Sequence, residues 1–173
     1  CHDGGVSGGL PPHELDRLKM AAAGRSRAQL LADPRLDPAE QGRRDALVAR
    51  RRAGEPLQYL EGRLPFGPIE VQVDHRALIP RPETEQLWEA AVAALGRAGP
   101  GTPLVDLGTG CGVLALALKH AFPAAPVYAT ELSPGALALA RENATALGLE
   151  VAFLLGDLFA PLPDRLRGRV ELI

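Results

Sequence analysis

From residue 102 onward the chain predicts an α/β fold with a parallel, right-handed sheet. Three observations carry this. Short apolar runs alternate with stretches of helical periodicity, a pattern that returns each strand to the same sheet by a right-handed crossover. An acid closes or closely follows each run: Asp106, Glu131 and Asp157. A glycine loop, Gly108-Thr-Gly-Cys-Gly112, joins the first run to the helix after it.

The first strand begins at Leu104 and carries Asp106 near its end. A helix follows from about Gly112 to His120. Pro126 to Thr130 reads as the second strand, with Glu131 at its tip. Ser133-Pro134 then opens a helix, Ser133 as N-cap and Pro134 at the first helical position. That helix stops near Gly148, a suitable left-handed terminator. Val151 to Leu155 is the third strand, and Val170 to Ile173 looks like the start of a fourth.

The glycine loop points to a nucleotide-type ligand. Glycines at 108, 110 and 112 permit positive φ and let a ligand approach the backbone closely. The helix that follows turns its unpaired N–H groups toward the same place. A dinucleotide site has the spacing G-x-G-x-x-G, whereas this loop is G-x-G-x-G with Val113 where the last glycine would fall. With an acid two residues before the first glycine, the pattern favours S-adenosylmethionine over NAD. Glu131, nineteen residues after Gly112, is placed to accept ribose hydroxyls. Asp157 suits an adenine amino group, with Leu158 and Phe159 able to pack on the ring. By itself Asp157 reads equally well as a turn or cap residue.

The first 62 residues are rich in Leu, Ala and Arg and read as helical. One helix covers Glu14 to Ala23 and stops at Gly24. Asp37-Pro38-Ala39-Glu40 is a helix start with an N-cap acid, Pro at the first position and Glu at the third. The helix it opens reaches Arg52 and carries Arg43, Arg44, Arg50, Arg51 and Arg52. This cluster is either a docking face for a protein or RNA partner or an ordinary solvated face, the latter being favoured. Phe66-Gly67-Pro68 is turn chemistry, and Ile69, Val71 and Val73 alternate with polar neighbours, as in a hairpin with one buried face. Leu78 to Pro82 is extended, because a proline disfavours helix at the residue before it. A helix then begins near Glu83 or Thr84, with Trp88, Ala91, Val92 and Leu95 at helical spacing.

Composition narrows the function classes. The net charge of −2 gives no global nucleic-acid-binding surface, and 46% hydrophobic residues with mean hydropathy near zero fit a globular chain. No apolar run reaches membrane-spanning length. Cys1 and Cys111 make no disulfide framework, and four scattered histidines make no metal site. A cytoplasmic protein is expected. The start, Cys1-His-Asp-Gly-Gly5, has no leader pattern and no initiator Met, so the chain is expected to begin inside a longer one.

Three segments together resemble a known family: Gly54-Glu-Pro-Leu-Gln-Tyr-Leu-Glu-Gly62, Leu78-Ile-Pro-Arg-Pro-Glu-Thr-Glu85 and Asp106-Leu-Gly-Thr-Gly-Cys-Gly112. With Glu131-Leu-Ser-Pro134, Asn143 and Gly156-Asp-Leu-Phe159, they look like the HemK/PrmC group, the peptide chain release factor glutamine N5-methyltransferases. The glycine loop alone indicates only a class I methyltransferase. The Ile-Pro-Arg-Pro-Glu-Thr-Glu segment selects the group.

The resemblance implies a class I, Rossmann-like methyltransferase domain from residue 83, truncated after its third to fourth strand. It implies a helical substrate-recognition domain over residues 1–62 and a hairpin linker over 63–82. S-adenosylmethionine would be bound by Asp106, Gly108, Thr109, Gly110, Cys111, Gly112, Glu131, Leu132, Asp157 and Leu158. Arg81, Pro82, Glu83 and Thr84 would border the active-site mouth. The protein partner would be a release factor, with no direct nucleic-acid or membrane contact, and the protein a monomer. Glu131 departs mildly, since members often have Asp there. The family's catalytic Asn-Pro-Pro-Tyr follows the fourth strand and does not occur in residues 1–173, so no catalytic residue is assigned and this stretch alone is expected to be inactive. The rival expectations are a related methyltransferase acting on a ribosomal-protein glutamine or on DNA adenine, and a non-catalytic fragment that binds protein.

Overall fold

A computed structural model describes residues 9–173; Cys1, His2 and the rest of residues 1–8 lie outside the described residues. The chain divides into two compact units after Glu61.

The first unit is helical: α1 (Pro12–Ala23), α2 (Arg27–Ala32), α3 (Pro38–Arg52) and α4 (Leu57–Glu61). Its capping residues explain its boundaries. Gly24 ends α1 in the left-handed conformation (φ 61°). Ser26 and Gln29 form a reciprocal capping box on α2, and Asp37 and Glu40 form another on α3. Leu18, Leu57 and Leu60 make the core, with Leu10, Leu47 and Val48 packed on it. The arginines of α3 serve this unit. Arg51 pairs with Glu14 at 2.8 Å, Arg44 with Asp45 at 2.7 Å, and Arg50 pairs with Glu55. Arg43 Nε donates to the Ala22 carbonyl at the end of α1 (2.7 Å). The solvated-face reading of this cluster therefore has a structural basis: four of its five guanidinium groups satisfy local acids or a helix end.

The second unit opens with an antiparallel hairpin, β1 (Arg63–Phe66) and β2 (Ile69–Gln72). It continues through α5 (Pro82–Leu95), β3 (Leu104–Leu107), α6 (Val113–Ala121), β4 (Val127–Glu131), α7 (Pro134–Leu147) and β5 (Ala152–Leu155), with a short 3-10 turn at Asp164–Leu166. Strands β3, β4 and β5 are parallel and adjacent in that order. Leu172 bridges Leu104 in parallel on the other side of β3. The chain thus fills both flanks of β3, which makes its C-terminal end a switch point where α/β sheets bind ligands. Only this bridge forms over 170–173, rather than a full fourth strand.

The sheet packs against a core that includes Leu104, Ala115, Leu118, Phe122, Val127 and Ala129. The hairpin is part of this unit. Its turn fits α5: Glu85 accepts the Gly67 N–H at 2.8 Å, and Phe66 meets Trp88 edge-on with ring centroids 6.3 Å apart. Gly67 is required there, since its φ is +48° and a Cβ would lie 2.8 Å from the Trp88 ring. Among the described residues no helix is long and apolar enough to cross a membrane, and no cluster of His, Cys, Asp and Glu could hold a metal.

Candidate functional site

The three acids read from the sequence fall at the C-terminal ends of successive parallel strands, but they do different things. Asp106 is buried (8% exposed) at the end of β3. Its Oδ2 accepts the Thr109 hydroxyl at 2.6 Å. Gly112, the N-cap of α6, has no side chain to cap with. Burial pushes the Asp106 carboxyl above its ordinary value, against the opposing pull of the Thr109 hydroxyl.

Glu131 projects from the end of β4 and is half-buried. Its Oε2 accepts the Gly110 N–H and its Oε1 the Ser133 N–H, each at 2.9 Å. Each oxygen keeps a further lone pair for another donor. The Gly108 and Thr109 N–H groups both donate to the Thr130 carbonyl, at 2.9 and 3.0 Å, so the loop is laced to the end of β4 along its length.

The glycines divide by role. Gly108 (φ +72°) and Gly110 (φ +58°) have nothing within 4 Å of where a Cβ would stand. They leave an open cradle over the loop. Gly112 is different, and here the expectation that all three glycines clear space for a ligand is corrected. It is buried, and its Cβ would sit 3.0 Å from Ala140 Cβ and 3.3 Å from Leu116. Its lack of a side chain lets α7 approach the start of α6. The close-packing role that dinucleotide loops give their third glycine falls here to the residue before Val113.

Thr109 and Cys111 are buried too, so the loop offers backbone rather than these side chains. Burial pushes the Cys111 thiol up to about 11, away from the thiolate form. Beyond β5, Asp157, Leu158 and Phe159 are exposed, and Leu132 after β4 is 69% exposed. Leu158 is held at φ +43°, where non-glycine residues are uncommon. Gly156 before it could not carry a side chain, because a Cβ would meet Pro161 at 2.9 Å. Arg81, Pro82 and Glu83 are exposed at the start of α5, and Thr84 is half-buried. Glu85, the last residue of that motif, holds the hairpin turn.

Asn143 belongs with these residues, although sequence reading assigned it no role. It lies in α7, 1% exposed, and bonds both Gln72 and the Cys111 carbonyl. The available signal was a lone asparagine inside an Ala/Leu-rich helix.

Comparison with known proteins shows what the chain is similar to. The family model of the PrmC N-terminal domain matches residues 7–62, and that of the methyltransferase small domain matches residues 91–168. A release factor glutamine methyltransferase of Deinococcus radiodurans is 44% identical over 158 residues, covering 89% of this chain and 56% of its own. The enzyme of that name in Moorella thermoacetica is 44% identical, covering 91% and 57%. That in Bordetella pertussis is 45% identical, covering 95% and 61%. The chain thus spans a little over half the length of these relatives. Among solved structures, the M. jannaschii tRNA m1G37 methyltransferase is 20% identical with a TM-score of 0.45, covering 55% of this chain and 29% of its own. The assignment therefore rests on the sequence matches: the chain joins a PrmC N-terminal domain to a methyltransferase small domain and is similar over most of its length to release factor glutamine methyltransferases.

Proposed function

We propose that the protein containing this chain methylates the side-chain amide nitrogen of the glutamine in the Gly-Gly-Gln motif of peptide chain release factors, with S-adenosylmethionine as donor. The observation that carries the cofactor part is the cradle at the end of β3. Gly108 and Gly110 are open and at positive φ, and the Glu131 carboxylate stands beside them with acceptor capacity left. Similarity to the release factor glutamine methyltransferases supports the substrate part.

The residues present fit that cofactor. Gly108 and Gly110 would hold its methionine end against the loop backbone. Glu131 would accept the ribose hydroxyls. Asp157 would take the adenine amino group, with Leu132 and Leu158 as apolar flanks. Asp106 would act at the methionine end through the loop, fixing Thr109. When bound, S-adenosylmethionine supplies a methyl group already activated by the sulfonium. Holding the amide nitrogen in line can then provide much of the rate, without a strong base in this unit. Arg81, Pro82, Glu83 and Thr84 would border the bound protein segment, and the helical first unit would help recognise the release factor.

The test is methyl transfer by the full-length protein. Labelled S-adenosylmethionine is supplied with purified release factors and, separately, with ribosomal proteins and DNA. Label on the glutamine of the Gly-Gly-Gln loop, mapped by peptide mass spectrometry, is the expected result. Label on another substrate would keep the cofactor and overturn the substrate.

A further inference from the structure

Three glycines in five residues give the loop from Gly108 to Gly112 a great deal of conformational freedom. The peptide unit between Cys111 and Gly112 shares this freedom, because its rotation changes ψ of Cys111 and φ of Gly112, and glycine permits both signs of φ. A flip there would redirect the loop's N–H and C=O groups. Two bonds oppose it. The Gly112 N–H donates to the Thr109 carbonyl at 2.9 Å, within the loop itself. The Cys111 carbonyl accepts Nδ2 of Asn143 at 3.0 Å, from outside it.

Asn143 takes its own bearing from the hairpin. Its Oδ1 accepts the Gln72 N–H at 2.7 Å, and its Nδ2 donates to the Gln72 carbonyl at 3.0 Å. The next residue, Val73, donates to the Gly62 carbonyl on the β1 side, so Gln72 turns its peptide groups the other way. There the amide of Asn143 stands in for a third strand. Both amide hydrogens and one lone pair are used, as a group 1% exposed requires. No aliphatic side chain could meet both backbones, and a carboxylate would set an oxygen against two carbonyls.

We propose that Asn143 is a positioning residue for the cofactor loop: it fixes the Cys111–Gly112 peptide relative to strand β2, so that the cradle is formed before the ligand arrives. This inference rests on the cofactor reading for its ligand, though not for its geometry. Ordering the loop in advance removes an entropic cost that binding would otherwise meet. Glu131 holds the loop at Gly110 and Asn143 holds it at Cys111, from successive elements of the chain.

The test uses the whole chain with three variants: Asn143→Ala, Gln72→Pro and Leu118→Ala. Gln72→Pro removes the N–H that Asn143 Oδ1 accepts, on an edge strand where proline is tolerated, and leaves the Gln72 carbonyl in place. Leu118→Ala is a stability control in the core, distant from the loop in the middle of α6. Two quantities are measured: amide hydrogen exchange over residues 108–112 without ligand, and S-adenosylhomocysteine affinity by calorimetry. For Asn143→Ala and Gln72→Pro, loop exchange quickens and affinity falls roughly tenfold or more. For Leu118→Ala, Tm drops comparably while both readouts stay at wild-type values. If Asn143→Ala, or Gln72→Pro should Asn143→Ala not fold, gives the same loop protection as Leu118→Ala, the proposal is overturned. Failure of the wild-type chain to bind S-adenosylhomocysteine would count against the cofactor reading instead, and exchange in the free protein would still decide the role of Asn143.

Discussion

Glu131 Oε2 accepts the backbone N–H of Gly110 at 2.9 Å, tying the tip of β4 to the middle of the glycine loop. The carboxylate therefore shapes the loop and remains free to accept ligand hydroxyls on its other lone pairs. The same group also reaches the Ser133 N–H. Glu131→Ala removes these bonds and, on the proposed cofactor reading, the ribose acceptor. Hydrogen bonds to a charged group contribute about 1.5–3 kcal/mol each, so S-adenosylhomocysteine binding should weaken at least about tenfold. Glu131→Gln keeps one carbonyl acceptor and should fall between. Calorimetry on the two variants checks this, and unchanged affinity in Glu131→Ala would remove Glu131 from the site.

The glycines predict separable defects. At Gly110 a methyl group meets no atom within 4 Å. Gly110→Ala then costs only the left-handed backbone, about 1–2 kcal/mol, while it occupies the cradle and should reduce cofactor affinity. At Gly112 the backbone is also left-handed, and the methyl runs into Ala140. Gly112→Ala should therefore be the more destabilising of the two. Adding Ala140→Gly should recover part of that loss by removing the contact, leaving the strain of φ +85°. Urea unfolding of the single and double variants measures the interaction directly.

Much of this architecture was legible because local signals coincide with tertiary ones. Asp37-Pro-Ala-Glu and Ser133-Pro start helices where the caps are seen, and Gly24 and Gly148 end them in the left-handed conformation. Asp106, Glu131 and Asp157 were readable as strand-tip acids because each follows a β-branched or apolar run. Their division of labour was not readable. Whether a carboxylate faces a ligand or holds a loop hydroxyl depends on rotamer and burial, and Asp106 is buried. The two short helices α2 and α4 were also missed. Each spans one or two turns, too short for periodicity to register, although Ser26 and Gln29 spelled the box that starts α2. Asn143 was opaque for another reason: its partners, Gln72 and Cys111, are 71 and 32 positions away in sequence.

In the helical unit the Asp37 carboxylate accepts the Glu40 N–H at 2.7 Å, and Glu40 returns the bond to the Asp37 N–H at 2.9 Å. Glu40 Oε2 also pairs with Arg25 at 2.9 Å. Asp37→Ala should cost about 1 kcal/mol through the lost cap. Asp37→Asn, which still caps, should cost less. Thermal unfolding of the chain resolves the two, and cofactor affinity should change in neither.

Arg76 predicts a pH dependence with a definite sign. Its guanidinium donates to Asp74, at 2.8 Å from Nη2, and to both oxygens of Glu142 on α7, each at 2.7 Å. The Arg76 hydrogen bond is the main reason that both carboxyls sit below their ordinary values of 3.8 and 4.5. A carboxyl lowered by folding stabilises the native state at any pH above its unfolded value, and that contribution is lost as pH falls through the folded value. Arg76→Ala should thus lower stability at pH 7 by a modest amount, since the groups are partly exposed and screened. The gap to wild type should stay constant down to about pH 5 and close progressively below pH 4. It should also shrink in high salt at pH 7, where the pair is screened. Urea titrations of both proteins across this range provide the measurement. A gap that persisted unchanged at pH 2 would show that Arg76 stabilises the turn by packing of its aliphatic stem rather than by charge.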